Sequence, residues 1–400
     1  MSKKRILAFG LALIMLGASV LETTAFVRAE TPYIQINEQR FELPNLVVDV
    51  EELPIRQELQ GNLYAGYCET VYFVSPFSID VRSYNEKAAA RLDSLGVSLN
   101  FLETMSEEQI GIIASAEKAF ITHSYYYYHE LDEYADTILT PISRADFNRH
   151  MQNQITPTEI ADYIFNQLQV SEYVGIEALS EVRYVQAQHI VGGGVLHVQT
   201  IMFHEPVTGF IGRYVAVAEF FWSSMPGFRG TDFFALGRGS EMSIIGNGDF
   251  GGFVEYREYR RAFTAYPNWV HQTSWGTTFH FNNNPRNELG TVSQGAGLRL
   301  NVRSDRLPPP VLGVGTTAVM SLFYGLSGGV MYTGTISSFS PGQVQTRTHY
   351  VSYLHQNATI LIVSPSLSVS MSGPSVSFSV SHTAQYARAV QNNLSVTWRS

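Results

Sequence analysis

Hydrolysis of a glycosidic bond needs two carboxylates facing one another across a cleft. The second half of this 400-residue chain offers Glu205, Glu219, Asp232, Asp249, Glu255 and Glu258. Nothing in their spacing selects a pair. Glu255 and Arg257 share a strand face, and Glu258 with Arg260 or Arg261 reads as surface ion pairing. A metal site would draw on His123, His129, Glu130, Asp132, Glu133 and His150. The spacing is poor for it: His129-Glu130 is followed by Glu133 where a zinc-protease helix would need its second histidine, and on a helix His123 and His129 lie well apart in angle. The histidines from His189 to His382 can act together only after folding brings their strands together, and His197 and His204 fall on opposite faces of one unbroken strand. No nucleophile elbow, phosphate loop, dinucleotide fingerprint or calcium loop is present, so the sequence assigns no catalytic residue, metal or cofactor.

Aromatic side chains are the stronger signal. Between Phe220 and Trp275 they outnumber what one core obviously needs. Phe220, Trp222 and Phe253 read as core. Phe228, Tyr266 and Trp269 sit near turn residues and are the candidate ligand-binding platform, able to stack on glycan rings or to anchor a surface protein. Arg229 and Asp232, flanking Gly230, read as ties within a loop.

Positioning these groups falls to two unlike halves. Residues 1–29 read as a secretory signal: Lys3, Lys4 and Arg5 precede an apolar run from Ile6 to Leu21, and Val27-Arg28-Ala29 suits cleavage after Ala29. The expected location is therefore secreted or cell-surface. Cys68 is the only cysteine, so no internal disulfide framework accompanies export. Residues 31–180 hold 23 Asp and Glu against 8 Lys and Arg, a net of −15, whereas residues 181–400 hold 10 against 14, a net of +4. Docking between the acidic and basic halves is one economical use of that contrast. Nucleic-acid binding is not indicated, because only Arg257, Arg260 and Arg261 cluster.

The acidic domain, 30–176, is expected to hold short strands and then three helices. Thr104 with Glu107, or Ser106 with Gln109, can cap a first helix running through Tyr125–Tyr128 to Leu139. Ser143 with Asp146 opens a second, and Thr156-Pro157-Thr158-Glu159 opens a third. The segment 177–400 shows turns about every ten residues between alternating or apolar runs. The expected class is α+β: a small helix-containing N-terminal domain, then a mainly antiparallel β-sandwich or jelly-roll-like domain.

Leu307 to Ser400 contains three charged residues, Arg347, Arg388 and Arg399, and no carboxylate. Within it Leu367, Val369 and Met371 alternate with serine, and Val376, Phe378 and Val380 do so after Gly373-Pro374, which reads as a hairpin. The sequence thus points to a secreted, non-catalytic binding or surface-associated protein. Two alternatives stand beside it: a pore-forming protein inserting such uncharged hairpins, the one reading that requires membrane contact, and an extracellular hydrolase.

Overall fold

A computed structural model of the chain describes residues 33–36, 39–42, 53–59, 62–73, 84–129, 138–153, 156–174, 194–207, 212–223, 231–239, 243–244, 250–266, 269–282, 289–292, 295–301, 305–306, 315–336, 344–356, 367–371, 376–380 and 386–399. Its helices begin where side chains satisfy the free N–H groups of a first turn. Helix α1 spans Tyr84–Ser94, a 3-10 helix follows at Leu99–Glu103, and α2 spans Glu107–Ser115. Of the two expected capping boxes, Ser106 and Gln109 form theirs, each side chain bonding to the other's backbone N–H. Helix α3 covers Arg144–Gln152, capped by Ser143, and α4 covers Pro157–Val174, where the Thr156 hydroxyl accepts from Glu159 N–H and the Glu159 carboxylate accepts from Thr156 N–H.

The helix expected across 104–139 is corrected. Chain direction changes after α2, and β5 runs over Lys118–His129. Most of its residues are β-branched or aromatic, and period-two alternation divides the tyrosines between faces: Tyr126 and Tyr128 enter one core, while Tyr125 enters another with Tyr127 against its edge. Helix α1 lies where short strands alone were anticipated.

The remaining strands are β1 (Tyr33–Ile36), β2 (Gln39–Glu42), β3 (Leu53–Leu59), β4 (Asn62–Tyr72), β6 (Ile138–Ile142), β7 (Val195–Glu205), β8 (Gly212–Trp222), β9 (Thr231–Arg238), β10 (Ser243–Ile244), β11 (Phe250–Tyr266), β12 (Trp269–Asn282), β13 (Leu289–Val292), β14 (Gly295–Asn301), β15 (Thr317–Ile336), β16 (Val344–Gln356), β17 (Leu367–Met371), β18 (Val376–Val380) and β19 (Tyr386–Arg399). All described ladders are antiparallel. The protein is thus mainly antiparallel β-sheet with a few helices. A ten-stranded sheet runs β12-β11-β15-β8-β7-β5-β4-β3, with β10 on β15 and β6 on β5, and a five-stranded sheet runs β13-β14-β9-β16-β19. The larger sheet takes β3 to β6 from the acidic segment and the rest from the later one, so strands from both sides of residue 176 share one ladder.

Each face of the ten-stranded sheet is covered. One face packs Tyr126, Leu196, Val198, Ala216, Phe220, Trp222, Val330 and Tyr332 against Phe234, Leu236, Leu298, Val351, Tyr353 and Leu394 of the five-stranded sheet. The other packs Ile121, Ile201, Phe203, Val215, Val217, Phe253 and Met331 against α1, the 3-10 helix and α2. Helix α3 closes a smaller cluster at Tyr125, and α4 closes another over Tyr259, Phe263, Met320 and Leu322. Strand β15 runs unbroken for twenty residues, because Gly325 takes a φ of 61° within a register shift and carries the chain through. Among the described residues no helix is long and apolar enough to cross a membrane.

Candidate functional site

The register of the ten-stranded sheet assembles polar groups that the sequence keeps far apart. Crossing strands β5, β7, β8 and β15, His123 pairs with Gln199, Gln199 with Glu219, and Glu219 with Gly329. One step along the same face, crossing on to β11, Tyr125 pairs with His197, His197 with Phe221, Phe221 with Ser327, and Ser327 with Glu255. Both rows lie on the helix-covered face, because side chains two residues apart share a face. They separate the apolar ground beneath α2 from that beneath α3.

Gly329 brings the covering chain into place. A Cβ there would come within 2.4 Å of the Phe101 ring and 2.7 Å of the Ala218 carbonyl oxygen. Phe101 of the 3-10 helix therefore lies directly on the β15 backbone, fully buried, with its ring edge-to-face with Phe253 at 4.8 Å between centroids. Burying a ring of this size stabilises by roughly 2–3 kcal/mol. That anchor delivers residues 96–100 to the carboxylates. The Ser98 backbone N–H donates to Glu219 Oε1 at 3.0 Å, Gln199 Nε2 donates to Glu219 Oε2 at 2.6 Å and to the Gly96 carbonyl at 3.3 Å. Glu255 accepts from Asn100 Nδ2 and, at 2.9 Å, from Ser327 Oγ.

Electrostatics follow from enclosure. Burial pushes the Glu219 carboxyl up to about 8; the Gln199 and Ser98 hydrogen bonds oppose that, and the neighbouring Glu255 adds to it. Glu255 is raised too, first by burial, with Ser327, Asn100 and Arg257 opposing. At the other end of the row, His123 Nδ1 and His197 Nε2 are 3.1 Å apart, and His197 stacks between His123 and Tyr125 at centroid distances of 5.4 and 4.7 Å. Burial holds His197 down to about 3, and the Arg144 charge works in the same direction; burial and the charges of His197 and Arg144 hold His123 well below its ordinary value. Both imidazoles are neutral at physiological pH.

A second polar cluster lies between the two sheets. Asp232 on β9 accepts from Tyr353 Oη at 2.6 Å and from His355 Nδ1 at 3.0 Å, and Tyr353 Oη accepts from Trp222 Nε1 at 2.9 Å. Asp232 and His355 are both completely enclosed, and His355 Nε2 has no hydrogen-bond partner. A carboxylate-oriented imidazole is half of a nucleophile-activating arrangement. Here the free nitrogen faces a core bounded by the Tyr128 and Trp222 rings. Asp232 thus ties β9 to β16 inside the core, and the loop around Gly230 lies outside the described residues. A third cluster, Tyr332 Oη with His349 Nδ1 at 2.7 Å, is likewise buried, and burial holds His349 down to about 3.

The six carboxylates considered for hydrolysis now separate. Glu219 and Glu255 come together. Glu205 pairs with Arg213 at 2.6 Å, Glu258 with Arg260 at 3.5 Å, Asp232 is in the core, and Asp249 lies outside the described residues. Arg261 reaches back to Asp162 on α4 at 2.6 Å, and Arg213 reaches Glu108 on α2 at 3.2 Å. Among the described residues no group of three or more His, Cys, Asp or Glu is placed to hold a metal ion. Of the aromatic platform, Phe228 lies outside the described residues. Tyr266 and Trp269 are register partners at the closed end of the β11–β12 hairpin, their side chains outside the description. In the serine-rich hairpin, Leu367 pairs with Val380, Val369 with Phe378 and Met371 with Val376, so one face is apolar and the other is serine. Its strands are five residues each, about half of what a membrane-crossing strand needs.

No protein-family model matches this chain, and no curated protein matches it. The functional reading rests on the residues themselves. Sequence reasoning passed over Ser98, Asn100, Gln199 and Ser327, which have no spacing signal because the sheet register alone assembles them. One signal was present: Glu219 is the single charge in the run from Tyr214 to Trp222, and a lone carboxylate in a buried strand requires partners.

Proposed function

We propose that this is a secreted, non-catalytic protein that binds a glycan or a protein at or outside the cell surface. Its two antiparallel sheets are read as a sandwich that supports the contact surface. The observation that carries the reading is the pairing of Tyr266 with Trp269 across the turn of a long hairpin, at the edge of the ten-stranded sheet. Tyrosine and tryptophan at paired positions of a hairpin end are residue types that supply contact area at low conformational cost. The arrangement elsewhere favours binding over chemistry: the oxygens of Glu219 and Glu255 are already engaged by donors of the chain, and the Asp232–His355 pair is enclosed. The Arg213–Glu108 and Arg261–Asp162 contacts support docking of acidic helices onto the basic strands.

An array of immobilised oligosaccharides and extracellular proteins, probed with the purified wild type and with Tyr266→Ala and Trp269→Ala, tests this. Retention on at least one ligand class, reduced at least tenfold by either substitution, is expected. Equal retention by all three proteins overturns the assignment of the platform.

A second reading, an extracellular hydrolase, is favoured by one observation: Glu219 and Glu255 meet the same loop, and both are harder to ionise than ordinary carboxyls. That is a property of general acids. Turnover of chromogenic glycosides by the wild type, abolished in Glu219→Gln and Glu255→Gln variants that retain native circular dichroism, would favour it over binding alone.

A further inference from the structure

A strand at the edge of a sheet exposes a row of backbone donors and acceptors, and proteins blunt such edges with charge, proline, shortness or cover. The two large sheets have four terminal strands, β12, β3, β13 and β19. Three of them carry such devices. Strand β3 contains Pro54, Arg56 and Glu58; β13 is four residues long; β19 holds Arg388 and Arg399 and lies beside β5, β6 and β7. Strand β12 differs. Its fourteen residues, Trp269–Asn282, include no Lys, Arg, Asp, Glu or Pro. Its one irregularity is at Thr273, skipped between the pairs Ala262–Ser274 and Phe263–Gln272. Beyond that bulge, Ser274–Asn282 runs in unbroken register with Val254–Ala262, and among the described residues no other strand pairs with it.

We infer that β12 is an interface at which a second copy of this chain adds its own β12 in antiparallel pairing, joining two ten-stranded sheets. The pattern of the segment identifies the occupant. Antiparallel self-pairing about Thr278, its midpoint, sets Trp275 opposite the other copy's Phe281, Thr277 opposite Phe279, and Ser274 opposite Asn282. Alternation puts Trp275, Thr277, Phe279 and Phe281 on one face and Ser274, Gly276, Thr278, His280 and Asn282 on the other. Aromatic residues meet aromatic or β-branched ones, Ser274 meets Asn282, Gly276 leaves room for His280, and no like charges are brought opposite one another. A two-fold interface must be self-complementary in this way. The charges of the hairpin, Glu255, Arg257, Glu258, Arg260 and Arg261, all belong to β11.

Sedimentation velocity of the purified protein over two decades of concentration tests the inference. A reversible monomer–dimer equilibrium is expected for the wild type. Thr278→Lys places like charges opposite one another at the two-fold axis and weakens the dimer at least tenfold; Gln57→Lys on the opposite edge leaves it unchanged. Hydrogen exchange of the wild type provides a second readout that requires no variant: amides of 274–282 gain protection as concentration rises. A wild type monomeric throughout, a Thr278→Lys protein that dimerises as the wild type does, or exchange in 274–282 independent of concentration each overturns the inference.

Discussion

Replacing Glu219 by glutamine changes how stability depends on pH. In the unfolded chain this carboxyl titrates at an ordinary 4.5, and in the folded protein burial raises it to about 8. Between those values the folded state holds a proton that the unfolded state has released, so unfolding is favoured progressively as pH rises. The effect is absent below pH 4.5, grows through neutrality, and is complete above pH 8. At about 1.36 kcal/mol per pH unit, the full difference is roughly 5 kcal/mol, and about 3 kcal/mol of it is already present at pH 7. Glutamine cannot ionise, so Glu219→Gln removes this component. It also sets an amide toward Gln199, which donates to Glu219 at 2.6 Å, and that mismatch costs on the order of 1 kcal/mol at every pH. Urea unfolding at pH 5, 7 and 9 separates the two. The variant is expected to be slightly less stable than the wild type at pH 5 and more stable at pH 9, the curves crossing between. A residual slope remains from Glu255, which is raised for the same reason. Parallel curves, or a wild type that gains stability from pH 5 to pH 9, would refute the assignment of a buried, protonated Glu219.

Two further substitutions test the frame around that site. Gly329→Ala drives a methyl group into the Phe101 ring and the Ala218 carbonyl, at 2.4 and 2.7 Å; a loss of roughly 1–3 kcal/mol by denaturant unfolding is expected, with faster amide exchange in residues 96–103 than in α4. Asp232→Ala leaves the Tyr353 hydroxyl and His355 Nδ1 without their acceptor between the sheets, and a loss of about 3 kcal/mol or more in the same assay is expected; an effect below 1 kcal/mol would show that the cluster does not tie β9 to β16.

What the sequence discloses and what it hides follow from the range of the interactions involved. Caps were legible because Ser106 with Gln109 and Thr156 with Glu159 act within one turn. Alternation located the 367–380 hairpin, since period two marks a strand with two unlike faces, whereas β7 and β8, buried on both faces, show only as apolar runs. Strand β5 was misread because a good helix start at Ser106 and a run of four tyrosines carry no local stop signal. The decision for strand is made by pairing with β4 and β7, whose residues are distant in sequence. The meeting of Glu219 and Glu255 was illegible for a related reason. They lie on different strands two places apart in the sheet, and the atoms that hold them come from residues 98, 100, 199 and 327.

The central claim is that the contact surface is the end of the β11–β12 hairpin and that the polar row beneath the 3-10 helix is structural. Equilibrium binding of wild type, Trp269→Ala and Glu255→Gln to one immobilised surface ligand tests it most directly. The account predicts at least a tenfold loss of affinity for Trp269→Ala and wild-type affinity for Glu255→Gln. Binding retained by Trp269→Ala but lost by a folded Glu255→Gln would contradict it and move the functional site to the row of His197, Glu219 and Glu255.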